Sequence, residues 1–83
     1  MNIEYITWID SAVGTSNWEL CDEDNINEID VDPIIIHSYG VVLRETDTYV
    51  VLAQNYGVNP PQFCNTISIP KGCISTRNII GGV

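Results

Sequence analysis

Residues 34–54, IIIHSYGVVLRETDTYVVLAQ, decide the fold of this chain of 83 residues. Two runs rich in β-branched and aromatic residues, 34–43 and 49–54, flank the polar stretch RETDT at 44–48. Such runs are typical of β-strands, and the polar stretch between them is typical of a turn. The first run is long for one straight strand, and Gly40 inside it predicts a bulge or bend. We therefore expect a central antiparallel hairpin with a bend at Gly40.

The segments outside this hairpin supply three more short strands. They are 3–9 (IEYITWI), 63–69 (FCNTISI) and 74–80 (ISTRNII). The last two are joined by Pro70 and the tight turn KGC, and the residues of 63–69 alternate in polarity as in a half-buried strand. Composition predicts that 55–62, NYGVNPPQ, is a loop and that 81–83 is a frayed tail.

One short helix is predicted in the acidic part of the chain. After a small polar loop at 11–17, Ser16 and Glu19 fit the S-x-x-E capping box. This motif would start a helix at Asn17 or Trp18, and the helix should fade by Asn25.

These elements predict a single domain over residues 1–83 that is mainly β. Short strands with one bend and a tight turn favour a small, strongly bent antiparallel sheet or an SH3-like or Sm-like barrel, with one short helix. The alternative is an α+β sheet that carries the 17–24 helix on one face.

The charge of the chain is divided unevenly along its length. The net charge is −8, nine of the eleven acids lie within residues 1–32, and the three strong bases all follow position 43. Six acids crowd into 22–32, and such a block repels itself unless it is solvated or meets a positive partner. Three bases cannot neutralise a run of phosphates, so we expect neither direct binding of duplex nucleic acid nor binding to an anionic membrane.

The three cysteines, Cys21, Cys64 and Cys73, indicate neither a disulfide framework nor a zinc site, because their number is odd and no CxxC occurs. We expect buried, reduced thiols. The start of the chain lacks the pattern of a signal peptide, which predicts a cytoplasmic protein. The acidic stretch from Asp22 fails the calcium-loop template, because Ile26 takes the fifth position and no glycine takes the sixth. No metal or cofactor is predicted, and no catalytic signature is present.

Two groups of residues remain as candidates for ligand binding. Trp8 and Trp18 are large rings that belong either to the core or to a stacking surface, and Asp10 and Ser11 follow the first strand. Lys71 and Gly72 form a turn that could present an ammonium and backbone N–H groups to a phosphate. The alternatives are a solvated lysine and a turn in which Asp10 and Ser11 bond to nearby backbone.

Several short motifs resemble a family of small, mostly uncharacterised bacteriophage proteins. The matching segments are WIDS at 8–11, Trp18, YGVV at 39–42, YVVLA at 49–53 and IPKGCI at 69–74. The chain departs from the family pattern at two places. Asn17 stands where the family has a glycine before the tryptophan. The family has a tryptophan directly after the glycine that matches Gly40, whereas this chain has Tyr39 directly before it. The resemblance implies a phage accessory protein that antagonises host antiviral defence without being an enzyme.

Two modes of action are left open by this resemblance. In the first, a homo-oligomer sequesters a small nucleotide-type immune signal: Trp8 or Trp18 would stack on the base, Asp10 would accept hydrogen bonds, and Ser11 with the Lys71-Gly72 turn would hold a phosphate. In the second, the acidic surface mimics nucleic acid and blocks a basic, nucleic-acid-binding host protein.

Overall fold

The computed structural model describes residues 1–12, 14 and 18–83. It contains five strands, one short α-helix and one 3-10 turn. The strands are β1 (Asn2–Asp10), β2 (Ile34–Glu45), β3 (Tyr49–Val58), β4 (Pro61–Pro70) and β5 (Ile74–Gly82). The helix α1 spans Glu23–Asn27, and the 3-10 turn spans Lys71–Cys73. The chain is therefore mainly β with a single short helix, as predicted.

All five strands join one antiparallel sheet in the order β4-β3-β2-β1-β5. The bent-sheet prediction is confirmed, whereas the closed barrel is not formed, because β4 and β5 remain the two edges of the sheet. Strand β2 connects the two halves: its residues up to Val41 pair with β1, and those from Val41 onward pair with β3.

Gly40 lies next to this change of partner. The pairing of β2 with β1 is regular through Gly40, so the predicted bulge is not there; the register shift in β2 falls between Val42 and Arg44. Gly40 is needed for a different reason. A Cβ at this position would stand 2.5 Å from the carbonyl oxygen of Ala53, which leaves room only for glycine.

The core is small and lies inside the bend. Its buried cluster consists of Ile6, Trp8, Val50, Leu52 and Ile69. Ile67 and Ile74, which pack against this cluster, extend it toward β4 and β5. Phe63 shares the alternation of Ile67 and Ile69 in sequence but is 59% exposed, so the buried part of β4 is confined to its second half.

Two segments predicted to lie outside the strands belong to the sheet. Residues 55–62 are not a loop, because β3 continues to Val58 and β4 begins at Pro61, with the ladder running from Asn55↔Cys64 to Val58↔Pro61. The 81–83 segment is not frayed: Gly82 pairs with Asn2, and the Val83 N–H donates to the Met1 carbonyl. In both cases a cross-strand partner supplies hydrogen bonds that local composition does not reveal.

The helix also begins later than predicted. Residues 18–21 are not helical, and the predicted cap Ser16 and start Asn17 lie outside the described residues. Asp22 caps α1 instead, since its side chain accepts a hydrogen bond from the Asn25 N–H at 2.9 Å. No residue of α1 is buried, so it does not cover a face of the sheet as the α+β alternative requires.

The three cysteines are free thiols, and the prediction that they are buried was wrong for two of them. Cys21 and Cys64 are exposed, and Cys73 is half-buried. None of the helices in residues 1–12, 14 and 18–83 has the length and apolar character needed to cross a membrane.

Candidate functional site

The two tryptophans, which the sequence could not separate, have opposite environments. Trp8 is 9% exposed in the core, and its indole N–H donates to the Ser38 hydroxyl at 3.0 Å. Trp18 is fully exposed. The Trp8 ring is therefore a packing group, and of the two only the Trp18 ring has a face open to a ligand.

The other four predicted residues lie in two places, Asp10 and Ser11 at the tip of β1 and Lys71 and Gly72 in the 3-10 turn. Trp8 of β1 pairs with Ile74 of β5, so the end of β1 runs beside the 3-10 turn that carries Lys71 and Gly72. At the tip of β1, the Asp10 carboxylate accepts a hydrogen bond from the Ser11 N–H at 2.8 Å. This contact is the local turn that served as the alternative interpretation of the pair.

Lys71 is engaged by a carboxylate. Its Nζ lies 2.9 Å from Oε2 of Glu45, and the other oxygen of Glu45 accepts from Arg77 at 2.8 Å. The hydrogen bonds from Arg77 and then Lys71 lower the pKa of the Glu45 carboxyl from 4.5 to about 2. A phosphate at Lys71 would have to compete with this carboxylate for the ammonium.

A second ion pair completes the same cluster. Glu4 is only 5% exposed, and both of its oxygens accept from Arg77, at 2.8 Å from Nε and 3.0 Å from Nη2. The pKa of Arg77 is raised, first by the hydrogen bond to Glu4 and then by that to Glu45. We call Glu4, Glu45, Lys71 and Arg77 the ionic cluster. It joins β1, the end of β2, the 3-10 turn and β5, so its evident role is to hold the bent sheet together.

Arg44 has a different environment from the other two strong bases. Successive residues of a strand point to opposite faces, so Arg44 is directed away from the ionic cluster that its neighbour Glu45 joins. Its Nη2 donates to the Tyr49 hydroxyl at 2.7 Å, and its guanidinium carbon lies 5.4 Å from the centroid of the Tyr49 ring. Within the part of the chain that the structure describes, Arg44 has no carboxylate partner.

The largest concavity next to Arg44 has a volume of about 570 Å³. We call it the Arg44 groove, and its lining includes Leu43, Arg44, Val51, Tyr56, Gln62 and Phe63. Volumes of roughly 300–1,000 Å³ with mostly apolar walls and a few polar groups are typical of small-molecule sites. Arg44 has the only charged side chain among the described residues of this lining, which also includes Met1 with its terminal ammonium.

Two further concavities meet the Arg44 groove at Tyr56. One, of about 390 Å³, shares Tyr56, Gln62 and Phe63 with it; the other, of about 300 Å³, is lined by Tyr56 and Tyr39 among others. Neither has a charged side chain in its lining. Tyr56 and Phe63 are paired in register across β3 and β4; Tyr56 lines all three concavities, and Phe63 lines the Arg44 groove and the 390 Å³ concavity.

A separate aromatic stack lies on β1 and β2. The Tyr5 ring is stacked on Tyr39 with centroids 4.5 Å apart and on His37 at 5.8 Å, and the Tyr5 hydroxyl lies 2.6 Å from His37 Nδ1. Partial desolvation, followed by the effect of Tyr39, raises the pKa of Tyr5. Because Tyr39 also lines the 300 Å³ concavity, the stack connects at its edge with the surface around Tyr56.

The sequence missed Arg44, Tyr56 and Phe63 for identifiable reasons. Arg44 was assigned to a polar turn and Tyr56 to a loop, whereas both belong to strands. One signal was present in the sequence. Tyr56 lies three residues before Asn59 and Phe63 lies three residues after Pro60, so a hairpin that turns at Asn59-Pro60 would pair these two residues.

The acidic segment, residues 18–32, has no opposite charge in contact with it. Its seven acids are all exposed, and no ion pair joins any of them to a cation in the described residues. The segment also exposes apolar side chains, which are Trp18, Leu20, Ile26, Ile29 and Val31. It therefore presents a mixed acidic and apolar surface.

The described residues hold no group of three or more His, Cys, Asp or Glu side chains placed to bind a metal ion. A scan against protein-family models and searches of curated proteins and of solved structures found no match to this chain.

Proposed function

We propose that the protein is a non-enzymatic binding protein that sequesters a small nucleotide-type ligand in a pocket completed by a second copy of the chain. The observation that carries this proposal is the Arg44 groove, whose lining combines Tyr56 and Phe63 with a guanidinium that has no carboxylate partner among the described residues. By its resemblance to phage proteins, the ligand would be a host antiviral signal.

The chemistry of the groove matches the two parts of a nucleotide. A nucleobase stacks on aromatic rings at about 1–3 kcal/mol per base, and every base has a face that can do so. A phosphate forms its strongest protein contacts with guanidinium groups, which donate two parallel hydrogen bonds. Tyr56 and Phe63 provide the first kind of contact, and Arg44 provides the second.

The residues that the sequence singled out do not line the Arg44 groove. Asp10, Ser11 and Gly72 are exposed, and Trp18 offers an open ring. Lys71 belongs to the ionic cluster, so Arg44 replaces it here as the residue that would hold the phosphate.

A second copy of the chain would complete the site. The Arg44 groove is an open concavity on a domain with a small core, and a ligand in it would stay largely in contact with solvent. Sites that hold a small molecule tightly bury most of its surface, so a covering surface is needed. A symmetric homo-oligomer supplies one in each copy and so multiplies the number of sites.

The test is release of a bound ligand. The purified protein is incubated with a lysate of phage-challenged cells, washed and denatured, and the released small molecules are identified by mass spectrometry. We expect a nucleotide from the parent protein and markedly less from Arg44→Gln. The proposal is wrong if the parent releases no nucleotide in this experiment.

A second function is favoured by the acidic segment. Seven exposed acids that pair with no cation in the described part of the chain, beside exposed apolar side chains, would suit a basic host protein that binds nucleic acid. In this mode the protein would block the basic surface of its partner, and its affinity would fall steeply with salt.

This second function is tested by the combined change Asp22→Asn, Glu23→Gln, Asp24→Asn and Glu28→Gln. Asparagine at position 22 still caps α1, so the helix is retained. If the acidic segment acts, the combined variant loses both capture of the basic partner and antagonism of defence, whereas Arg44→Gln keeps both. Equal antagonism by the combined variant and the parent would exclude this function.

A further inference from the structure

We infer that the Arg44 groove selects ligands with a single phosphate, of the nucleoside monophosphate class, over nucleoside triphosphates. This inference rests on the proposed function and adds to it the charge class of the ligand. It follows from how the three strong bases of the chain are distributed.

Only one of these bases is open to a ligand's phosphate. Lys71 and Arg77 are held by Glu45 and Glu4 at 2.8–3.0 Å in the ionic cluster. Among the three, Arg44 lines a concavity and has no carboxylate partner within the described residues. A single guanidinium neutralises a single phosphate.

The remaining charge of the protein opposes a longer phosphate chain. Its net charge is −8, and no other described residue that lines the three concavities around Tyr56 carries a positive side chain. Met1 also lines the Arg44 groove, but its terminal ammonium already donates to the Val83 carbonyl at 3.0 Å. The second and third phosphates of a triphosphate would therefore meet a negative field without a counter-charge. A ligand that brings one phosphate avoids this cost.

The geometry of Arg44 suits a terminal phosphate. Its guanidinium has five N–H donors, and the hydrogen bond to Tyr49 from Nη2 leaves most of them for a ligand. The contact with the Tyr49 ring at 5.4 Å also restricts the side chain before the ligand arrives. Arg44 is thus prepared for a two-point contact with one phosphate.

The opposite part of the groove suits a base. Tyr56 and Phe63 are paired across the strands, and Phe63 is 59% exposed, so a ring can be placed against it without moving the core. The Gln62 side chain lines both the Arg44 groove and the adjoining 390 Å³ concavity. Its amide can donate to and accept from the edge of a base that is stacked there.

The experiment is isothermal titration calorimetry of the purified chain with adenosine, AMP and ATP at constant ionic strength. We expect AMP to bind at least about ten-fold more tightly than either adenosine or ATP, since one charge-assisted contact is gained over adenosine and uncompensated charge is avoided relative to ATP. Other nucleoside monophosphates are titrated alongside, because stacking tolerates any base.

Arg44→Gln and Lys71→Gln form the matched pair of variants. Arg44→Gln should bring the affinity for AMP down to that for adenosine, whereas Lys71→Gln should leave the preference unchanged. Arg44→Lys keeps a positive charge and should retain part of the preference for AMP. Phe63→Leu should lower the affinities for adenosine and for AMP by the same factor. Circular dichroism of each variant confirms that the sheet is intact.

The outcomes separate this inference from the function on which it rests. Tighter binding of ATP than AMP, loss of the AMP preference in Lys71→Gln instead of Arg44→Gln, or no binding of any monophosphate would each overturn the inference. The release experiment tests the proposed function separately. If the parent protein releases a nucleotide with several phosphates, the proposed binding function holds and the preference for a single phosphate is wrong.

Discussion

Gly40 of β2 lies very close to the backbone of β3. At none of the other glycines in the described residues would an added Cβ come so near to another backbone atom. A Cβ added there would lie 2.5 Å from the Ala53 carbonyl oxygen, and backbone cannot move aside as the end of a side chain can. Gly72, in the 3-10 turn, has no atom within 4 Å of the corresponding position. Substitution by alanine adds the same methyl group at both glycines, so the pair compares a crowded position with an open one.

We predict that Gly40→Ala lowers the free energy of unfolding by about 1–3 kcal/mol, the usual cost of overpacking. Gly72→Ala should change it by less than about 0.5 kcal/mol, as surface substitutions do. Urea denaturation of the two variants measures both values. Equal stabilities would mean that the close approach of β2 and β3 at Gly40 is not real.

Trp8 and Trp18 give a second comparison at the residue scale. Trp8→Phe removes the indole N–H that satisfies the buried Ser38 hydroxyl, and it also leaves space in the core. We expect a loss of at least about 1–3 kcal/mol in the free energy of unfolding. Trp18→Phe, at a fully exposed ring, should leave it unchanged. A larger effect of Trp18→Phe in urea denaturation would contradict the assignment of the core.

The buried face of β1 illustrates what a sequence conceals. The alternation in IEYITWI places Glu4, Ile6 and Trp8 on one face, and a glutamate argues against burial. Glu4 is nevertheless 5% exposed, because Arg77, 73 positions away in sequence, neutralises it with two hydrogen bonds. The alternation of β1 could be predicted locally, but the partner that allows its charge to be buried could not.

At the scale of elements, the ionic cluster links strands that are far apart in the chain. Glu45 at the end of β2 binds both Lys71 of the 3-10 turn and Arg77 of β5. Its pKa is held at about 2 by these hydrogen bonds, below its value in the unfolded chain of about 4.3–4.5. A group whose pKa is lower in the folded state stabilises the protein above its unfolded pKa and loses this effect as the pH falls.

We therefore predict that Glu45→Gln lowers stability most at neutral pH. The difference from the parent should shrink as the pH falls from about 4.5 toward 2, since the parent then loses the same charge. Urea denaturation across this range, with the midpoint recorded at each pH, measures the effect. Asp47→Asn removes a nearby charge that forms no ion pair in the described part of the chain, and it should have a smaller effect at neutral pH. A difference for Glu45→Gln that does not change with pH would contradict the role of the cluster.

The boundaries of the strands show which elements could be predicted. The central hairpin was predicted correctly apart from its ends, because its apolar runs and polar turn are local signals; β2 takes in Arg44 and Glu45 of the predicted turn, and β3 runs on to Val58. The 55–62 segment was not, since Asn55, Gly57 and Pro60 are typical turn residues and only the pairing with β4 makes the first two part of a strand. The same failure concealed the candidate site, because Tyr56 and Phe63 meet only when that hairpin is formed.

At the scale of the whole molecule, the chain has more exposed apolar surface than its core would suggest. Among the described residues, fifteen large hydrophobic side chains are exposed and seven hydrophobic residues are buried. The radius of gyration is 17.7 Å, against about 12 Å for a compact domain of this length. An extended shape with a small core favours association with another chain.

The two edges of the sheet differ in how open they are to such association. β4 begins and ends with proline, which has no N–H to offer and protects an edge strand. β5 has no proline, and it exposes Ile79 and Ile80 at 66% and 56%. Homo-oligomers built from this chain would therefore use the β5 edge in preference to the β4 edge.

We predict that Ile79→Lys weakens self-association, because a lysine on an edge strand opposes pairing with another edge. Sedimentation velocity over a range of protein concentrations should show a parent oligomer that dissociates in this variant, and the melting temperature of the parent should rise with concentration. Ser68→Lys on β4, at an exposed position outside the lining of the Arg44 groove, is the control and should leave the oligomer intact. A parent chain that stays monomeric at every concentration, or a control that dissociates it equally, would refute association through β5 and leave the Arg44 groove without the second copy that its proposed function requires.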